Sequence, residues 1–342
     1  MEITIGKRKV GEGHPVFIIA ELGYNFSTKE EALESVDLAA DAGVDALKLQ
    51  TFRADTLVTK DVDFPPEAGG GNQHAEFRRY EISEDIHKAV FKRCRERGIE
   101  PFSTPSHAQD ADMLERLDCQ VYKIGSDDLT NLPYMTYIGK KGKPVIFSSG
   151  MGTMSEVADA VAALTAAGNK DLMLLQCVSN YPIKDPSIVN LRVIQSFARA
   201  FPVIAGFSDH TVGVEAAVAG VALGARVIEK HFTPSKDNGA PDSPFSADPK
   251  EMKALVDAIR NVEKMLGDGV KKPTKSESDM RRWTRKSLIA RRDIPEGKIL
   301  QEGDVIIKRP ATGIQPAQLG LALGRKTRRA VKADEVLGWD AL

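Results

Sequence analysis

Short apolar runs rich in β-branched residues recur along most of the chain, and amphipathic stretches separate them. The apolar runs span residues 16–22, 46–52, 100–105, 121–126, 144–150, 172–181, 203–210 and 226–232. The intervening stretches predict helices at 29–43, 83–98, 108–117, 132–141, 155–167, 188–200, 213–223 and 249–266. Strand followed by helix, eight times over, is typical of a (β/α)8 TIM barrel.

An open, doubly wound α/β sheet is the alternative fold. Such a sheet usually carries a glycine-rich G-x-G-x-x-G turn after its first strand. The corresponding segment here is AELGYNFS, at 20–27, which lacks this pattern. The barrel is therefore the favoured fold.

The composition and the hydrophobic pattern of the chain change after Leu266. A polar, charged stretch broken by Pro273 indicates a linker, and short strands with PEG and EGD turns follow it. We expect a barrel domain over 1–270, a linker over 271–285 and a small, mostly β domain over 286–342. A domain of that size buries only a modest core.

Composition excludes several classes of protein. The formal net charge of the 342 residues is −1, so no overall field favours nucleic acid or an anionic membrane. The N-terminus lacks the apolar core of a signal peptide, and no apolar run is long enough to span a bilayer. The three scattered cysteines suggest reduced thiols, and we expect a cytoplasmic protein. Cys177 is not expected to be a nucleophile, because no histidine stands close to it in the local pattern.

Polar residues stand at the carboxyl end of nearly every predicted strand, where barrel enzymes place their active sites. They are Glu21, Lys48, Gln50, Thr104, Lys123, Ser126, Ser148, Asn180, Tyr181, Ser208, His210, Glu229 and His231. Several are two residues apart, which places them on one face of a strand. Any one of these residues could have a purely structural role, in a hydrogen bond or a salt bridge, but together they indicate a shared site.

The residue types suggest the chemistry of that site. Two lysines and several hydroxyls suit a phosphate or a carboxylate. Two histidines from adjacent strands, His210 and His231, suit a divalent metal with open positions. Glu21 is then available as an acid or base.

The remaining histidines have no comparable setting. His87 lies in a predicted helix and is expected at the surface, and His107 is expected to have a loop role. His74 belongs to a long glycine-rich loop after the second strand, a kind of loop that can close over a site.

The ordered motifs IIAELGYN, ALKLQTF, FSTP, YKIGSDDLTN, KPVIFSSGM, SNYP, GFSDHTVG, IEKHFT and APDSPFSADP resemble the sialic acid synthase family. The tail motifs RKSLIARRDIPEGKIL and IKRPATGI extend the resemblance to nearly the whole chain. The resemblance implies a TIM barrel followed by an antifreeze-like (SAF, β-clip) domain. It also implies condensation of phosphoenolpyruvate with the aldehyde of an N-acetylated hexosamine, with release of phosphate.

The resemblance assigns roles residue by residue. Glu21 and Asp242 correspond to catalytic carboxylates, and His210 and His231 to ligands of a divalent metal, usually manganese, with magnesium or cobalt as alternatives. The residues that correspond to the phosphoenolpyruvate site are Lys48, Thr104, Lys123, Ser126, Ser148, Asn180 and Ser208. Gln50, Tyr181 and Arg309 correspond to sugar contacts. Arg309 implies a domain-swapped homodimer, because the family sends this arginine into the site of the other subunit.

Three positions depart from the family pattern. Phe26 and Ser243 stand where the family has histidines, and Asp127 stands where it has glycine. These departures leave the sugar open between N-acetylmannosamine and the precursor of legionaminic or pseudaminic acid. Two other functions also stay open: a Schiff-base aldolase that uses Lys48 or Lys123, and a non-catalytic sugar-binding protein. A metal hydrolase is disfavoured, because the first strand has no H-x-H pair.

Overall fold

The chain folds into two compact units, Met1–Gly267 and Asp268–Leu342. The computed structural model describes residues 1–65 and 70–342 of the chain. The predicted end of the barrel domain, residue 270, lies three residues beyond the first unit, whereas the predicted linker, 271–285, falls within the second unit; the domain limits stay a prediction.

The first unit is a closed barrel of eight parallel strands, as the sequence predicts. An antiparallel hairpin, β1 (Glu2–Ile5) and β2 (Arg8–Gly11), precedes it. The barrel strands are β3 (Phe17–Gly23), β4 (Ala46–Thr51), β5 (Glu100–Pro105), β6 (Tyr122–Ile124), β7 (Val145–Ser148), β8 (Leu172–Cys177), β9 (Ile204–Asp209) and β10 (Val227–His231). Each pairs with the next along the chain, and β10 closes the ring against β3. The open-sheet alternative is therefore excluded.

Helices follow the strands and cover the barrel. They are α1 (Lys29–Ala42), α2 (Ala54–Leu57), α3 (Gln73–Arg79), α4 (Glu84–Arg97), α5 (Ala108–Arg116), α6 (Leu132–Gly139), α7 (Met154–Ala166), α8 (Val193–Ala200), α9 (Glu215–Ala222) and α10 (Pro249–Leu266). Hydroxyl and carboxylate caps fix their starts: Thr153 and Asp248 each form a capping box with the glutamate three residues on. Among the described residues, no helix has the length and apolar character needed to cross a bilayer.

The N-terminal hairpin is a feature that the periodicity does not predict. Its apolar residues Ile3, Ile5 and Val10 are buried in the barrel core. Arg8 donates to Asp45 at 2.6 Å, at the residue just before β4. The hairpin therefore packs at the amino-terminal end of the barrel, away from the strand ends that carry the polar residues.

His87 is fully buried, so the expectation of a surface histidine is wrong. Its Nδ1–H donates to the carbonyl of Ser83 at 2.9 Å, and its Nε2 accepts from the hydroxyl of Thr51 at 2.8 Å. The Thr51 oxygen also contacts Ser103 Oγ at 2.6 Å. Burial lowers the pKa of His87 to about 4, so the ring is neutral. The chain of bonds joins α4 to β4 and β5 directly beside the polar strand ends.

The second unit is built around a small core and a short antiparallel pair, β11 (Ser287–Ala290) and β12 (Val305–Lys308). Isolated bridges such as Ile289 to Val336 and Ile294 to Val331 extend the pairing. Helix α12 (Leu319–Ala322) follows. The segment expected as a linker contains helix α11 (Lys275–Thr284), which Thr274 begins with a capping box.

A buried carboxylate organises one turn of the second unit. Asp304 Oδ1 accepts from Lys298 Nζ at 2.5 Å and from Arg292 Nη2 at 2.8 Å, and Oδ2 accepts from the backbone of Gln301 at 3.0 Å. The Lys298 and Arg292 bonds lower the pKa of Asp304 to about 2. The carboxylate is therefore held in its charged form.

Candidate active site

A cavity of about 380 Å³ lies at the carboxyl ends of the strands, and every barrel strand contributes to its wall. The strand-borne lining residues are Glu21, Lys48, Gln50, Thr104, Lys123, Ser148, Cys177, Ser208, Glu229 and His231. The remaining lining residues are Phe52, Leu57, Phe77, Ser106, Gly125, Ser126, Asp127, Met151, Ser179, Tyr181 and His210. Of the site residues predicted on the barrel, only Asp242 and Asn180 are outside this lining. The barrel thus brings the strand-end residues into one site.

Two lysines and two glutamates form a buried charge network at the floor of the cavity. Lys48 contacts the Glu21 carboxylate and donates to Thr104 Oγ1 at 2.9 Å. Glu229, which is also buried, lies 3.7 Å from the ammonium groups of both Lys48 and Lys123. Each cation therefore has a carboxylate beside it, which offsets much of the cost of burying charge.

The same network shifts the pKa values of its members. Burial lowers the pKa of Lys48 to about 7, against the opposing attraction of Glu229. Burial opposes ionisation of Glu229 too, but Lys123 and Lys48 outweigh it and hold the pKa of this carboxyl below its usual value. The sequence placed Glu229 among the strand-end residues of the shared site but assigned it no role, and the structure puts its carboxylate between the two lysines.

Serine hydroxyls line the wall of the cavity near β6, β7 and β8. The hydroxyl oxygens of Ser148 and Ser179 are buried and have no hydrogen-bond partner within the protein. Ser126 Oγ accepts from the backbone N–H of Gly150 at 3.0 Å. A Cβ at Gly150 would fall 2.2 Å from Ser179 Oγ and 2.7 Å from Ser126 Oγ. The missing side chain therefore keeps a space between two hydroxyls, and buried hydroxyls without partners suit a ligand with several acceptor oxygens.

Ser179 takes the place that the sequence assigned to Asn180. Asn180 is exposed and does not line the cavity, whereas Cys177, Ser179 and Tyr181 do. The alternation of faces along β8 continues past its last residue, so residues with the parity of Cys177 point inward. That parity was the signal that could have identified Ser179.

The two predicted metal ligands lie side by side at the ends of β9 and β10. The ring centroids of His210 and His231 are 5.2 Å apart. The Tyr181 ring lies 4.3 Å from that of His210, and the Phe245 ring lies 5.5 Å from that of His231. Burial, and repulsion from His210, hold the pKa of His231 well below its usual value, so this ring is neutral.

The donor set of this pair fits a divalent cation. His210 Nδ1–H donates to the carbonyl oxygen of Val178 at 2.9 Å, which leaves Nε2 free to accept, an arrangement typical of metal-binding histidines. His231 Nδ1 is buried without a hydrogen-bond partner. Across residues 1–65 and 70–342, no three His, Cys, Asp or Glu side chains are arranged so that they could hold a metal ion by themselves. A cation held by these two rings would therefore take most of its ligands from water or substrate.

Asp242 lies beside the histidine pair. Its Oδ2 is 3.6 Å from His231 Nδ1. Burial raises the pKa of Asp242 to about 6, with His210 and Lys48 opposing the shift. Near neutral pH this carboxyl can both give and take a proton, which suits a general acid or base.

Cys177 has no histidine near it along the sequence, but it does have one beside it in the folded protein. Its Sγ lies 3.9 Å from His210 Nδ1 and accepts from Ser126 Oγ at 3.6 Å. The contact arises because β8 and β9 are neighbours in the barrel, a relation that spacing along the chain does not reveal. His210 already donates Nδ1–H to Val178, so the thiol is a neighbour of the histidine pair and not its hydrogen-bonded partner.

The three departures from the family pattern have different surroundings. Phe26 is buried in the core. Ser243 is fully buried, and its Oγ lies 2.9 Å from Thr233 Oγ1. Asp127 alone lines the cavity. Arg309 belongs to the second unit, directly after β12, and its sugar contact stays a prediction.

A closed parallel barrel with a charged, hydroxyl-rich cavity at the carboxyl ends of its strands is the architecture of a TIM-barrel enzyme. The NeuB family matches residues 35–271, and the SAF domain matches residues 285–342. The chain is 37% identical over 328 residues to N,N'-diacetyllegionaminic acid synthase of Campylobacter jejuni, covering 94% of this chain and 98% of that protein. It is 38% identical over 330 residues to pseudaminic acid synthase of the same organism, covering 94% and 95%.

A solved structure agrees with these relatives. The N-acetylneuraminic acid synthetase of Leptospira borgpetersenii, in complex with citrate, is 32% identical with a TM-score of 0.75, covering 82% of this chain and 95% of that chain. The chain therefore belongs to the NeuB family. It is an enzyme, a transferase of the N-acetylneuraminate synthase type, and its activity is a condensation of the kind that nonulosonic acid synthases perform.

Proposed function

We propose that this enzyme condenses phosphoenolpyruvate with the open-chain aldehyde of an N-acetylated hexosamine, either N-acetylmannosamine or a diacetamido-trideoxyhexose. The products are a nonulosonic acid and inorganic phosphate. The observation that carries the proposal is one cavity lined both by Lys48 and Lys123 at its floor and by the wall hydroxyls of Ser148 and Ser179, which have no partner within the protein. Point charges with hydroxyl donors suit the phosphate and carboxylate of phosphoenolpyruvate.

In the proposed reaction, a C–C bond forms between C3 of phosphoenolpyruvate and the aldehyde carbon of the sugar. Water adds to C2, and the C2–O bond breaks to release phosphate. Glu21, which accepts a hydrogen bond from Gln50 at 3.1 Å, takes the proton from the attacking water. Asp242, with a pKa of about 6, gives a proton to the aldehyde oxygen as it gains charge.

The proposed cofactor is a divalent metal, with manganese preferred and magnesium or cobalt as alternatives. His210 and His231 would hold it, and Asp242 lies next to them. When bound, such an ion polarises the aldehyde as a Lewis acid. The rings of Tyr181 and Phe245 contact the two imidazoles in tilted and edge-to-face arrangements and restrict their positions.

The test is phosphate release from phosphoenolpyruvate with a sugar panel, with and without manganese after EDTA treatment. Wild type should release phosphate only when a sugar and the metal are both present. Glu21→Gln should lower kcat at least about 100-fold, the usual worth of a general acid or base. Its manganese affinity should remain, because Glu21 is not a proposed ligand.

The matched control is Glu34→Gln, the same change at an exposed position on α1. It should keep wild-type kcat and melting temperature. Equal phosphate release with and without sugar, or full activity of Glu21→Gln, would contradict the proposal.

A Schiff-base aldolase is the second candidate, and one observation favours it. The pKa of Lys48, about 7, would supply a neutral amine near physiological pH. However, the Lys48 ammonium is already engaged by Glu21 and Thr104. Borohydride in the presence of sugar should leave the mass of the protein unchanged, whereas a reduced adduct on Lys48 would favour the aldolase.

The proposed homodimer rests on Arg309, which would reach the sugar in the site of the partner subunit. Mixing Glu21→Gln protein with Arg309→Ala protein tests this, since one site in a mixed dimer would combine the intact residue from each parent. Recovery of activity after subunit exchange supports a shared site. Activity no higher than the sum of the parents argues against it.

A further inference from the structure

One side of the cavity is an apolar wall formed by Phe52, Leu57 and Phe77. Phe52 is 4% exposed, and its ring meets that of Phe77 at 5.5 Å in an edge-to-face arrangement. Behind them, Phe64 lies 5.8 Å from Phe77, and Tyr24 lies 5.9 Å from Phe52. The wall is therefore held by an aromatic cluster, and none of its three side chains can donate or accept a hydrogen bond.

The wall stands at the mouth of the cavity, and the charged network stands at the floor. Lys48, Gln50 and Phe52 alternate along β4 and the residue just beyond it, so all three face the cavity. Each two-residue step advances about 6.6 Å along a strand. Leu57 and Phe77 belong to α2 and α3, which follow β4, so they also lie beyond the strand end.

The middle level of the cavity is where the sugar aldehyde would react. Gln50 donates to Glu21, and Glu21 pairs in register with His231 on the neighbouring strand. A six-carbon aldehyde that reacts at this level extends about 6 Å along its chain, given C–C bonds of about 1.5 Å in zigzag. That length matches the step from Gln50 to Phe52. A sugar that extends from this level towards the mouth of the cavity would therefore bring its far end, C6, to the apolar wall.

We propose that the apolar wall selects an acceptor sugar that ends in a methyl group at C6 over one that ends in a hydroxymethyl group, with Phe77 as a specificity-determining residue. This inference rests on the proposed function. A hydroxyl against the wall loses its water without gaining a partner, whereas a methyl is buried at no such cost. Of the two proposed acceptor classes, it favours the trideoxyhexose over N-acetylmannosamine.

Apolar pockets separate substrates that differ by one small group by roughly 10- to 200-fold. We therefore expect the enzyme to prefer 2-acetamido-2,6-dideoxymannose over N-acetylmannosamine by at least about tenfold in kcat/KM. This pair differs only in the C6 hydroxyl, so it isolates the contact in question. Phosphate release at saturating phosphoenolpyruvate is the readout for both sugars.

Three variants test the role of Phe77. Phe77→Gln should reduce the preference to below about threefold, because its amide can partner the C6 hydroxyl. Phe77→Leu keeps the wall apolar and should keep most of the preference. Phe201→Leu, the same change at a partly buried phenylalanine outside the cavity lining and the aromatic cluster, should keep the wild-type ratio. Melting followed by circular dichroism shows whether each variant folds, and Leu57→Asn provides a second polar change if Phe77→Gln does not.

The outcomes separate the inference from the proposed function. A wild-type ratio near 1, with both sugars releasing phosphate, overturns the inference and leaves the proposed function standing. If the wild-type preference for the 6-deoxy sugar is high but neither Phe77→Gln nor Leu57→Asn lowers it, the apolar wall is not its cause and the inference is also overturned. Failure of every sugar, including a diacetamido-trideoxyhexose, to release phosphate overturns the proposed function and the inference with it.

Discussion

The buried His87 should make the barrel sensitive to acid well above the pH at which carboxylates titrate. In the folded protein the pKa of His87 is about 4, because burial disfavours the charged ring. In the unfolded chain it returns to about 6.5. As the pH falls, the unfolded chain therefore binds the proton before the folded protein does. The contribution of neutral His87 to the free energy of unfolding is fully present above pH of about 6.5 and is lost as the pH drops towards 4.

The size of the effect follows from the two pKa values. A difference of about 2.5 units at 1.36 kcal/mol per unit gives about 3 kcal/mol once the pH is below 4. At pH of about 5, where the folded ring is still neutral, the expected loss is about 2 kcal/mol. Against a typical total stability of about 5–15 kcal/mol, this is a large share.

The assay is urea unfolding of wild type and His87→Gln at neutral pH and near pH 5, followed by far-ultraviolet circular dichroism. Fluorescence would follow the wrong unit, because Trp283 and Trp339, the only tryptophans, both lie in the second unit. At neutral pH, the free energy of unfolding of His87→Gln should be about 1–3 kcal/mol lower than that of wild type, because the substitution disrupts the hydrogen bonds to Thr51 and Ser83. Its loss on acidification should be about 2 kcal/mol smaller than that of wild type.

The control is Val90→Ala, which truncates a buried side chain without a titratable group on the same face of α4. It should show the same loss on acidification as wild type. Equal losses for wild type and His87→Gln would refute the argument, because they would mean that the buried ring does not resist protonation.

Two further changes test the site and the second unit. Gly150→Ala should raise the KM for phosphoenolpyruvate about 30-fold, since it displaces two hydroxyls and one hydrogen bond to a charged group is worth about 2 kcal/mol. The melting temperature of Gly150→Ala should stay close to that of wild type. The control Gly220→Ala, where the nearest atom to a new Cβ is 3.5 Å away, should leave KM unchanged. An unaltered KM in Gly150→Ala would contradict a phosphoenolpyruvate contact at the two hydroxyls. Asp304→Asn should destabilise the second unit by about 1–2 kcal/mol at neutral pH, a value discounted from the pKa shift because Arg292 is largely exposed. The difference from wild type in tryptophan fluorescence melts should shrink as the pH falls from about 4 to 2, and a constant difference would show that the charge of Asp304 is not the cause.

Hydrophobic periodicity was sufficient for the barrel because each strand and helix is encoded locally. The run at 46–52 became β4 (Ala46–Thr51), and the pattern at 83–98 became α4 (Glu84–Arg97). The hairpin β1–β2 was missed because its strands are only four residues long and its partners, such as Asp45, are distant in sequence.

The errors at single residues have two different origins. His87 shares a helical face with Val90, Phe91 and Cys94, all buried, so its burial was present in the spacing but was not used. Ser179 was likewise available from strand parity. Cys177, by contrast, meets His210 only because β8 and β9 are neighbours in the closed sheet, and no local pattern contains that contact.

The protonation state of a catalytic group is the property that is hardest to infer from the sequence. Asp242 follows a proline in a loop, and nothing in APDS indicates whether its carboxyl is neutral or charged. Its pKa of about 6 arises from burial, at a position 3.6 Å from Nδ1 of His231 and opposed by the charge of His210. Those rings stand at the ends of β9 and β10, which come together only when the two strands pair in the sheet. The resemblance to the family could therefore identify Asp242 as a candidate, but its capacity to exchange a proton near neutral pH depends on the assembled fold.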